Sequence, residues 1–542
     1  MSLSINQILL ASITGLLLHW SYFIHGEHDL EAANIARAHI ISTLFLACFK
    51  SLKEGITVNH AIYESFLLHG LYAVALFISI VAYRLFCSPS RSIPGPLSMR
   101  VSKLVHVWRT VDPTRQNCIM LNDLRKEYGD VVRTGPNEVT LFGHKAYTAV
   151  HGPDSRCGRA TYYDILHPMV SLDTTRDPVM HAYRRKLWDK AFSIKALQQI
   201  EGSVYTYADR LVEQLRYNSG KSINIADYIE YCTFDLMGHV GLDIEFNALT
   251  AQKHPILGLW HIAHAKLGPL NAAPWIKHLL MGVPYIERLK YYREFMSWAH
   301  DELDKNIKDN PETRHSLMGY IITDAIENGG IQKNWNVILG DFLLVIAAGS
   351  DPVRIVLTFL IRHLIRSPEH LVLIRKELSS INSRDYKALQ YLEHLNACIY
   401  ETLRLYPAVP SAGLRLPPNE GITVNGVFIP KGTTLVTPQY SLHRDEKCFL
   451  EPEKWIPERF TSKPELILEK NAFVPWSIGK MSCLGKNLSL LETRVCAAAL
   501  LSNFDFEFAP GESGSQAFTG MVDYFTASPG PMNVVLKERV VC

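Results

Sequence analysis

Residues 473–486 surround a cysteine with the features of a sheltered thiolate. Glycines at positions 479 and 485 let the backbone turn tightly around Cys483. Helical periodicity begins directly after this turn, so Cys483 lies just before a helix N-terminus, where the helix dipole and free N–H groups favour a thiolate. Such a thiolate is a suitable ligand for haem iron. The alternative is a structural cysteine in a glycine-containing loop, and the residues upstream argue against it.

The same segment resembles the signature of the cytochrome P450 superfamily. That signature is an aromatic residue, two variable residues, Gly, a variable residue, Arg, a variable residue, the ligand Cys, one more residue and Gly. Trp476, Gly479, Cys483 and Gly485 match it, and Met481 stands where the arginine is expected. The resemblance implies a haem cofactor with Cys483 as its iron ligand and with Trp476, Gly479 and Gly485 in the cofactor-binding loop.

Three charged residues upstream strengthen the resemblance. Glu401 and Arg404 are three residues apart in a helical segment, where opposite charges can pair. Arg459 follows between that helix and the cysteine loop, in the order that the P450 family uses. One carboxylate held by two guanidinium groups can be buried only if every partner is hydrogen-bonded, so these residues should behave as a unit. In the family this triad locks the cysteine loop.

The two haem propionates require cations. His181 and Arg185 lie one helical turn apart and resemble the family's propionate-binding helix, and Arg415 matches a second propionate contact. The alternative for these residues is a solvated basic helix face. Met481 removes the usual third contact, for which Lys480 is a candidate substitute, although it lacks the planar fork of arginine.

The family's oxygen-activating pattern falls inside a long helical segment at 335–365. Ala348 and Gly349 are small and would leave room above the iron, and Asp351 is the acid that relays protons during oxygen activation. The family's threonine is replaced by Pro352, which has no N–H for the Ala348 carbonyl, so we expect a kink there. A solvated acid is the alternative for Asp351, but the apolar residues before it favour burial.

Contacts to substrate and to an electron donor follow from the family's topology alone. The lysines that could attract an acidic reductase on the cysteine side are Lys186, Lys190, Lys480 and Lys486. Core packing is the alternative for each substrate contact. The candidate substrate contacts are Ile346, Ala347, Ala412, Gly413 and Phe525.

Three apolar segments precede these motifs and must be placed relative to a membrane. They are Ile8–Phe23, Ile40–Phe49 and Phe66–Tyr83, of which only the third clears the roughly 17 residues that a spanning helix needs at minimum. Arg84 and Arg91 follow the third segment, as expected if that end faces the cytosol. The first segment has no basic residue before it, so we interpret it as a retained segment rather than a cleaved signal peptide.

The charges flanking the second segment leave the number of spans open, between one and three. We therefore expect residues 1–92 to form a membrane anchor and hinge and residues 93–542 to form one catalytic domain. The Pro-Gly-Pro sequence at 94–96 fixes an extended backbone. It also resembles the start of microsomal P450 catalytic domains, which implies an endoplasmic reticulum membrane with the catalytic domain in the cytosol.

The rest of the chain predicts a mainly α protein with small peripheral β-sheets, which is the cytochrome P450 fold. Periodic apolar helices are predicted at 194–215 and 335–365, and the predicted strands are short: 131–133, 139–142, 422–429 and 434–438. A net charge of +2 gives no indication of a nucleic-acid partner. Ten cysteines without CxxC spacing indicate neither a zinc site nor a disulfide framework.

These features predict a membrane-anchored haem-thiolate monooxygenase that oxidises a lipophilic small molecule with O2. Its electrons would come from NADPH through NADPH-cytochrome P450 reductase. The Cys-Leu-Gly-Lys-Asn-Leu sequence at 483–488 is most similar to filamentous-fungal members, many of which modify secondary metabolites. Two alternatives remain open. One is a P450-fold enzyme that rearranges or dehydrates an oxygenated substrate without O2, and the other is a non-catalytic haem-binding membrane protein.

Overall fold

Helices dominate the chain, as the sequence predicts. The structure is a computed structural model that describes residues 3–112, 116–283, 286–309, 316–411 and 413–539. The α-helices are α1 (Ile5–Leu18), α2 (Ala32–Glu54), α3 (Val58–Ala82), α4 (Leu97–Val101), α5 (Leu104–Thr110), α6 (Asn117–Tyr128), α7 (His144–His151), α8 (Pro178–Ala191), α9 (Ile194–Arg216), α10 (Ile225–Met237), α11 (Ala248–Ala251), α12 (Pro255–Leu267), α13 (Pro274–Met281), α14 (Lys290–Asp309), α15 (Leu317–Glu327), α16 (Ile331–Arg366), α17 (Pro368–Ser379), α18 (Tyr386–Gln390), α19 (Glu393–Leu405), α20 (Gln439–Leu442), α21 (Lys486–Asn503) and α22 (Gln516–Thr519).

The strands are short and lie at the periphery. They are β1 (Val131–Gly135), β2 (Glu138–Leu141), β3 (Gly158–Arg159), β4 (Ser222–Asn224), β5 (Arg415–Leu416), β6 (Ile422–Val424), β7 (Val427–Ile429), β8 (Thr434–Val436), β9 (Phe504–Phe508), β10 (Val522–Asp523), β11 (Ala527–Ser528) and β12 (Asn533–Glu538). The largest sheet has the order β1-β2-β8-β5-β3, and within it β2 and β8 are parallel. The predicted strand at 422–429 is a hairpin, β6–β7, that turns at Asn425-Gly426, where both residues have positive φ.

The first three helices form a bundle. α1 continues through a π-helical turn (His19–Phe23) and packs on α3, because Gly15 has no Cβ to meet the Tyr72 carbonyl, which would lie 2.4 Å away. The predicted segment 40–49 is part of α2, a 23-residue helix, so the sequence underestimated its length. By length and composition, α2 and α3 could each cross a membrane.

One of the charges that flank the second apolar segment is paired in the structure. Lys50 of α2 is buried and forms an ion pair with Glu64 of α3, and its Nζ lies 3.5 Å from Glu54 Oε2. A buried lysine is tolerated in an apolar bundle only with such partners. Between α1 and α2, Glu27 accepts hydrogen bonds from Arg176, whereas Glu31 bonds with Tyr22 and His28 of the same bundle.

The long helix α16 runs through the centre of the catalytic part. It is apolar enough to cross a membrane, but 72% of its most apolar window is buried within the protein, so it is a core helix. It packs on α10 and α21, while α9 closes the other side of both. The helix continues through Pro352, and the Ala348 carbonyl therefore lacks its usual donor four residues later.

Candidate active site

A cavity of about 550 Å³ lies between the cysteine loop and α16. Cys483 and Met481 line it on one side, and Ala348 on α16 lines it on the other. Most of the lining surface is apolar, and a few polar side chains interrupt it, among them a cluster of arginines. This combination of an apolar cavity with a few convergent polar groups is typical of a small-molecule or cofactor site.

The cysteine loop is shaped by backbone contacts. The Cys483 N–H donates to the Trp476 carbonyl at 2.8 Å, and Gly479 has a φ of +72°. A Cβ at Gly479 would lie 2.3 Å from the His151 carbonyl, so only glycine fits there. Trp476 is fixed by a 3.3 Å hydrogen bond from its Nε1 to Ser489 Oγ. These contacts hold the loop against α7 and the start of α21.

The side chain of Cys483 is accessible from the cavity, three residues before α21 begins. Burial raises the pKa of its thiol. Hydrogen bonds from the backbone N–H groups of Gly485 and Lys486 and the charge of Arg185 act in the opposite direction and favour the thiolate. A bound metal ion would favour the thiolate over the thiol, because a coordinating thiol is deprotonated outright.

Behind this loop, Glu401, Arg404 and Arg459 form one fully buried cluster. Both Glu401 oxygens accept from Arg404, at 2.7 and 2.8 Å, and Glu401 Oε1 also accepts from Arg459 at 3.0 Å. Arg404 Nη1 donates to the carbonyls of His443 at 2.6 Å and Pro452 at 2.7 Å. Each charged group of the cluster therefore has hydrogen-bond partners. The same bonds connect the segment 443–466 to α19.

Cationic side chains converge at one end of the cavity. Arg185 donates from Nη1 to the Ser482 carbonyl at 2.8 Å, and Arg415 Nη1 donates to Tyr163 Oη at 3.0 Å. His181 is 8% exposed and lines the cavity beside them. Burial, followed by the charges of the neighbouring arginines, lowers the pKa of His181 to about 4, so its ring is neutral at physiological pH.

A fourth group at this end, Arg159, was missed by the sequence reasoning. It is buried, lines the cavity, and donates from Nη1 to the Thr175 carbonyl at 2.7 Å. Arg159 of β3 is the direct antiparallel partner of Arg415 of β5. No sequence motif marked Arg159, and the pairing of its strand with a segment more than 250 residues later could not be predicted. Lys480, by contrast, is exposed and does not line the cavity.

The small residues of α16 face the cavity. Ala347, Ala348, Gly349 and Pro352 line it, whereas Ile346 does not: its side chain is buried in the core. The expected substrate contact at Ile346 is therefore not present. Gly349 also serves helix packing, because a Cβ there would lie 2.6 Å from the Met237 side chain on α10.

Asp351 is buried on the side of α16 that does not line the cavity. Near it, Glu230 Oε1 lies 3.0 Å from Arg354 Nη1 and 2.6 Å from His261 Nε2. Burial raises the pKa of Asp351 to about 6; Glu230 adds to the rise, while Arg354 and His261 oppose it. The result is a carboxyl group that changes protonation near neutral pH.

His261 connects this cluster to the protein surface, since its side chain is 44% exposed. Burial lowers the pKa of His261, but the hydrogen bond and charge of Glu230 outweigh that effect and raise it above the ordinary value. The chain from His261 through Glu230 therefore reaches from solvent to the neighbourhood of Asp351.

Two of the remaining substrate candidates line the cavity. Gly413 has a φ of +125° and would place a Cβ 3.1 Å from His151 Nε2, and Phe525 stacks on Tyr162 with ring centroids 5.1 Å apart. Ala412 lies outside the described residues. Phe525 also has a positive φ of 129°, a strained backbone conformation for an aromatic residue.

The far wall of the cavity comes from elements that no sequence motif marked. Trp260 and His264 of α12 stack with ring centroids 5.2 Å apart, and His264 meets Tyr524 at 5.5 Å. Burial lowers the pKa of His264 to about 4. Trp260 and His264 could not be identified from the sequence because α12 reaches the cavity only through its tertiary position.

Four lysines named from the sequence are exposed in the structure: Lys186, Lys190, Lys480 and Lys486. Lys486 Nζ lies 5.1 Å from the centroid of the Trp476 ring. Together they give a positive charge to the surface around α8 and the cysteine loop.

Known proteins are similar in sequence to this chain over most of its length. The family model described as cytochrome P450 matches residues 102–534. Cytochrome P450 monooxygenase FCK2 of Fusarium pseudograminearum is 33% identical over 539 residues, 97% of each chain. Tryprostatin B 6-hydroxylase of Aspergillus fumigatus is 32% identical over 545 residues, 98% of this chain and 96% of its own.

A third relative is cytochrome P450 monooxygenase sthD of Phaeosphaeria nodorum, 34% identical over 448 residues, 81% of this chain and 93% of its own. The family model alone covers well over half of the sequence, and the fungal relatives confirm the resemblance that the cysteine loop indicated. The chain is a member of the cytochrome P450 family, a monooxygenase that holds haem through a cysteine thiolate.

Proposed function

We propose that this protein is a membrane-anchored monooxygenase that oxidises a lipophilic secondary-metabolite intermediate. It would use O2 and electrons from NADPH delivered by NADPH-cytochrome P450 reductase. The observation that carries the proposal is the placement of Cys483 and the small residues Ala348 and Gly349 on opposite sides of one apolar cavity. The name of one relative, tryprostatin B 6-hydroxylase, supports hydroxylation of a natural product as the reaction class.

The residues of the cavity fit a haem group. We propose Cys483 as the iron ligand, with Trp476, Gly479 and Gly485 forming the loop around it. His181, Arg185 and Arg415, together with Arg159, would bind the two propionates, since all four line one end of the cavity. Haem supplies the oxidising chemistry, and the protein supplies its orientation and an apolar surrounding.

The triad of Glu401, Arg404 and Arg459 would act as a support for this site rather than as part of it. None of the three lines the cavity. Glu401 accepts a hydrogen bond from the Ile456 N–H, and Arg459 donates to the Glu451 carbonyl, so the triad holds the segment that precedes the cysteine loop. The buried charges keep that loop in one conformation because alternative arrangements would leave a charge unpaired.

Proton delivery is assigned to Asp351. Its raised pKa suits a proton donor near neutral pH, and solvent at the Ala348 carbonyl, which Pro352 leaves without a donor, would carry the proton into the cavity. The carboxyl group would be reprotonated from His261 through Glu230. This route replaces the hydroxyl group that the family's threonine supplies.

Residues 1–92 would anchor the enzyme in the endoplasmic reticulum membrane and residues 93–542 would form the cytosolic catalytic domain. The apolar helices α2 and α3 support the anchor. The exposed lysines of α8 and the cysteine loop support docking of an acidic reductase on the cysteine side.

Pro352 favours a second candidate, a P450-fold enzyme that rearranges or dehydrates its substrate without O2. One experiment separates the two. The full chain is expressed in a host that supplies haem and a reductase, and candidate pathway intermediates are added. A product that gains one oxygen atom only when NADPH is present supports the monooxygenase. Product of unchanged or dehydrated composition without NADPH supports rearrangement, and haem binding with no product from any intermediate supports a non-catalytic protein.

A further inference from the structure

Two histidines and a cysteine form a group outside the cavity. They are His370 of α17 and His394 and Cys398 of α19, whereas the cavity is lined by other residues. One potential metal-ligand atom from each of the three lies within 4.8 Å of the other two. Among the residues that the structure describes, no second group of three His, Cys, Asp or Glu side chains converges in this way.

Two neighbouring helices position these side chains. His394 and Cys398 are four residues apart on α19 and therefore project from the same face of the helix. α17 packs on α19 and brings His370 to that face. Glu377 of α17 accepts hydrogen bonds from the backbone N–H groups of His394 at 2.7 Å and Leu395 at 3.0 Å. The first turn of α19 is thus fixed against α17, which holds the two histidines in register.

The ring nitrogens of the two histidines face each other. His370 Nδ1 lies 3.0 Å from His394 Nε2, and the rings are nearly parallel, with centroids 5.1 Å apart. In a tetrahedral zinc site, the zinc–nitrogen and zinc–sulfur distances of about 2.0 and 2.3 Å separate the ligand atoms by roughly 3.3 to 3.8 Å. The nitrogen pair is slightly closer than this range and the three atoms lie within 4.8 Å, so small side-chain rotations would give the zinc geometry.

The group lies just below the protein surface. Cys398 is fully buried and His370 is nearly so, whereas His394 is partly exposed and offers an ion a path from solvent. The negative charges of Glu377 and Glu458 act on both His394 and Cys398. The site therefore has a negative potential that attracts a cation.

The types of ligand indicate the class of metal. Two imidazoles and a thiolate suit zinc, whereas magnesium and calcium prefer oxygen ligands. Zinc has no redox chemistry and accepts mixed nitrogen and sulfur ligands in a tetrahedral arrangement. Cysteine spacing in the sequence did not mark this group, because two of its three ligands are histidines and one comes from a different helix.

We propose that His370, His394 and Cys398 form a structural zinc site, with a water molecule as the fourth ligand. As the zinc–sulfur bond forms, the Cys398 thiol releases its proton to solvent, and both histidines bind as neutral rings. The ion would join α17 to α19, the helix that also carries Glu401 and Arg404 of the buried triad. This role goes beyond the proposed function and does not depend on it.

The test uses the full haem-loaded chain, in which the haem iron occupies Cys483. The protein is stripped with EDTA, incubated with zinc chloride and passed through a desalting column, and zinc and iron are then measured per chain. X-ray absorption at the zinc edge reports the ligands of the bound zinc separately from the iron. The variants are Cys398→Ser and His370→Gln. The matched control is Cys157→Ser, which alters a buried cysteine in another core cluster.

We expect about one zinc per chain in the wild type and in Cys157→Ser, with one sulfur at about 2.3 Å and nitrogens at about 2.0 Å. Each of the two variants should weaken zinc binding by more than about 100-fold, measured by competition with a fluorescent chelator, because loss of an outer partner alone costs about 10- to 100-fold. Zinc should also slow hydrogen exchange in 368–379 and 393–405 of the wild type but not of Cys398→Ser.

A wild type that retains no zinc after desalting would overturn the proposal. Equal zinc binding in the wild type, Cys398→Ser and His370→Gln would also overturn it, as would a zinc spectrum without sulfur, because the ion would then be held by other surface groups. The iron content of each variant shows that it is folded, and His370→Gln tests the site if Cys398→Ser loses its haem. Zinc binding by a wild type that takes up no haem would contradict the proposed function and leave the zinc site standing.

Discussion

At the scale of single residues, a few side chains were recognisable from their types and spacing, and others were not. The cysteine loop could be predicted because its motif places a glycine at position 479, where the positive φ and the close His151 carbonyl require one. Arg159 could not, because its neighbour Arg415 is brought to it by a strand pairing between distant segments. Asp351 and Ala348 are three residues apart on one helix, so periodicity alone cannot show that Ala348 lines the cavity while Asp351 does not.

The buried triad gives a prediction at this scale. Glu401→Ala leaves two buried guanidinium groups without their carboxylate, at a cost of about 3 to 5 kcal/mol. We expect strongly reduced haem incorporation, measured as the haem-to-protein ratio after purification. The control is Glu451→Ala, which removes an exposed carboxylate paired with Lys454 and should change stability by less than about 1 kcal/mol. Normal haem content in Glu401→Ala would show that the triad does not support the site.

Asp351 gives a prediction for pH dependence. Its pKa is raised from 3.8 to about 6 in the folded protein, so the folded state binds the proton more tightly than the unfolded chain. The wild type therefore loses stability as the pH rises through 6, and Asp351→Asn does not. We expect Asp351→Asn to be more stable than wild type, with a difference that grows between about pH 4 and pH 6 and levels off at about 3 kcal/mol above that. Chemical denaturation at several pH values measures this, and a difference that does not vary with pH would contradict the assigned pKa.

The same residue gives a prediction for turnover. If Asp351 is the proton donor, Asp351→Asn should lower product formed per NADPH by about 10²- to 10⁴-fold, with the consumed electrons appearing as peroxide. Pro352→Thr restores the family's hydroxyl group and should keep or raise this ratio. Product measured against NADPH and peroxide tests both variants. An unchanged ratio in Asp351→Asn would assign proton delivery to another group.

At the scale of elements, the sequence located the helices better than their surroundings. The long apolar segment predicted at 335–365 is α16. It could be predicted because a helical period sustained over this length indicates a helix and not a strand. The extent of α2 was underestimated, since α2 packs on α13 and Lys50, near its C-terminal end, pairs with Glu64, and composition shows neither contact. Side chains of α12 and α13 line the cavity only because of tertiary packing, and no sequence motif identifies these helices as part of its wall.

The cysteine loop gives a prediction at this scale. Gly479→Ala combines an unfavourable positive φ with a Cβ 2.3 Å from the His151 carbonyl, so the loop must move away from α7. We expect loss of haem and a lower melting temperature. Gly432→Ala is the matched control: Gly432 has a φ of +74° with no atom within 4 Å of the added Cβ, so it carries only the backbone cost of about 1 to 2 kcal/mol. Equal effects of the two substitutions would contradict the close contact with α7.

At the scale of the whole molecule, the apolar helices α1–α3 precede the part of the chain that holds the cysteine site. The surface around α8 and the cysteine loop carries the four exposed lysines and is the proposed docking surface for an electron donor. Charge of this kind accelerates association with an acidic partner and is screened by salt.

This surface leads to a prediction about electron transfer. Lys186→Glu combined with Lys190→Glu should slow reduction by the reductase at low ionic strength and have a much smaller effect at high ionic strength. Lys431→Glu, in the turn between β7 and β8, is the control and should have little effect. Stopped-flow reduction under carbon monoxide provides the rates. Identical salt dependence in all three proteins would place the docking surface elsewhere.

The central claim is that Cys483 holds the haem iron, and the spectrum of the reduced protein with carbon monoxide tests it most directly. Wild type and the control Cys87→Ser, which alters an exposed cysteine far from the loop, should show the thiolate-specific absorption band. Cys483→Ser should lose this band. Retention of the band in Cys483→Ser would mean that another residue ligates the iron and would contradict the account.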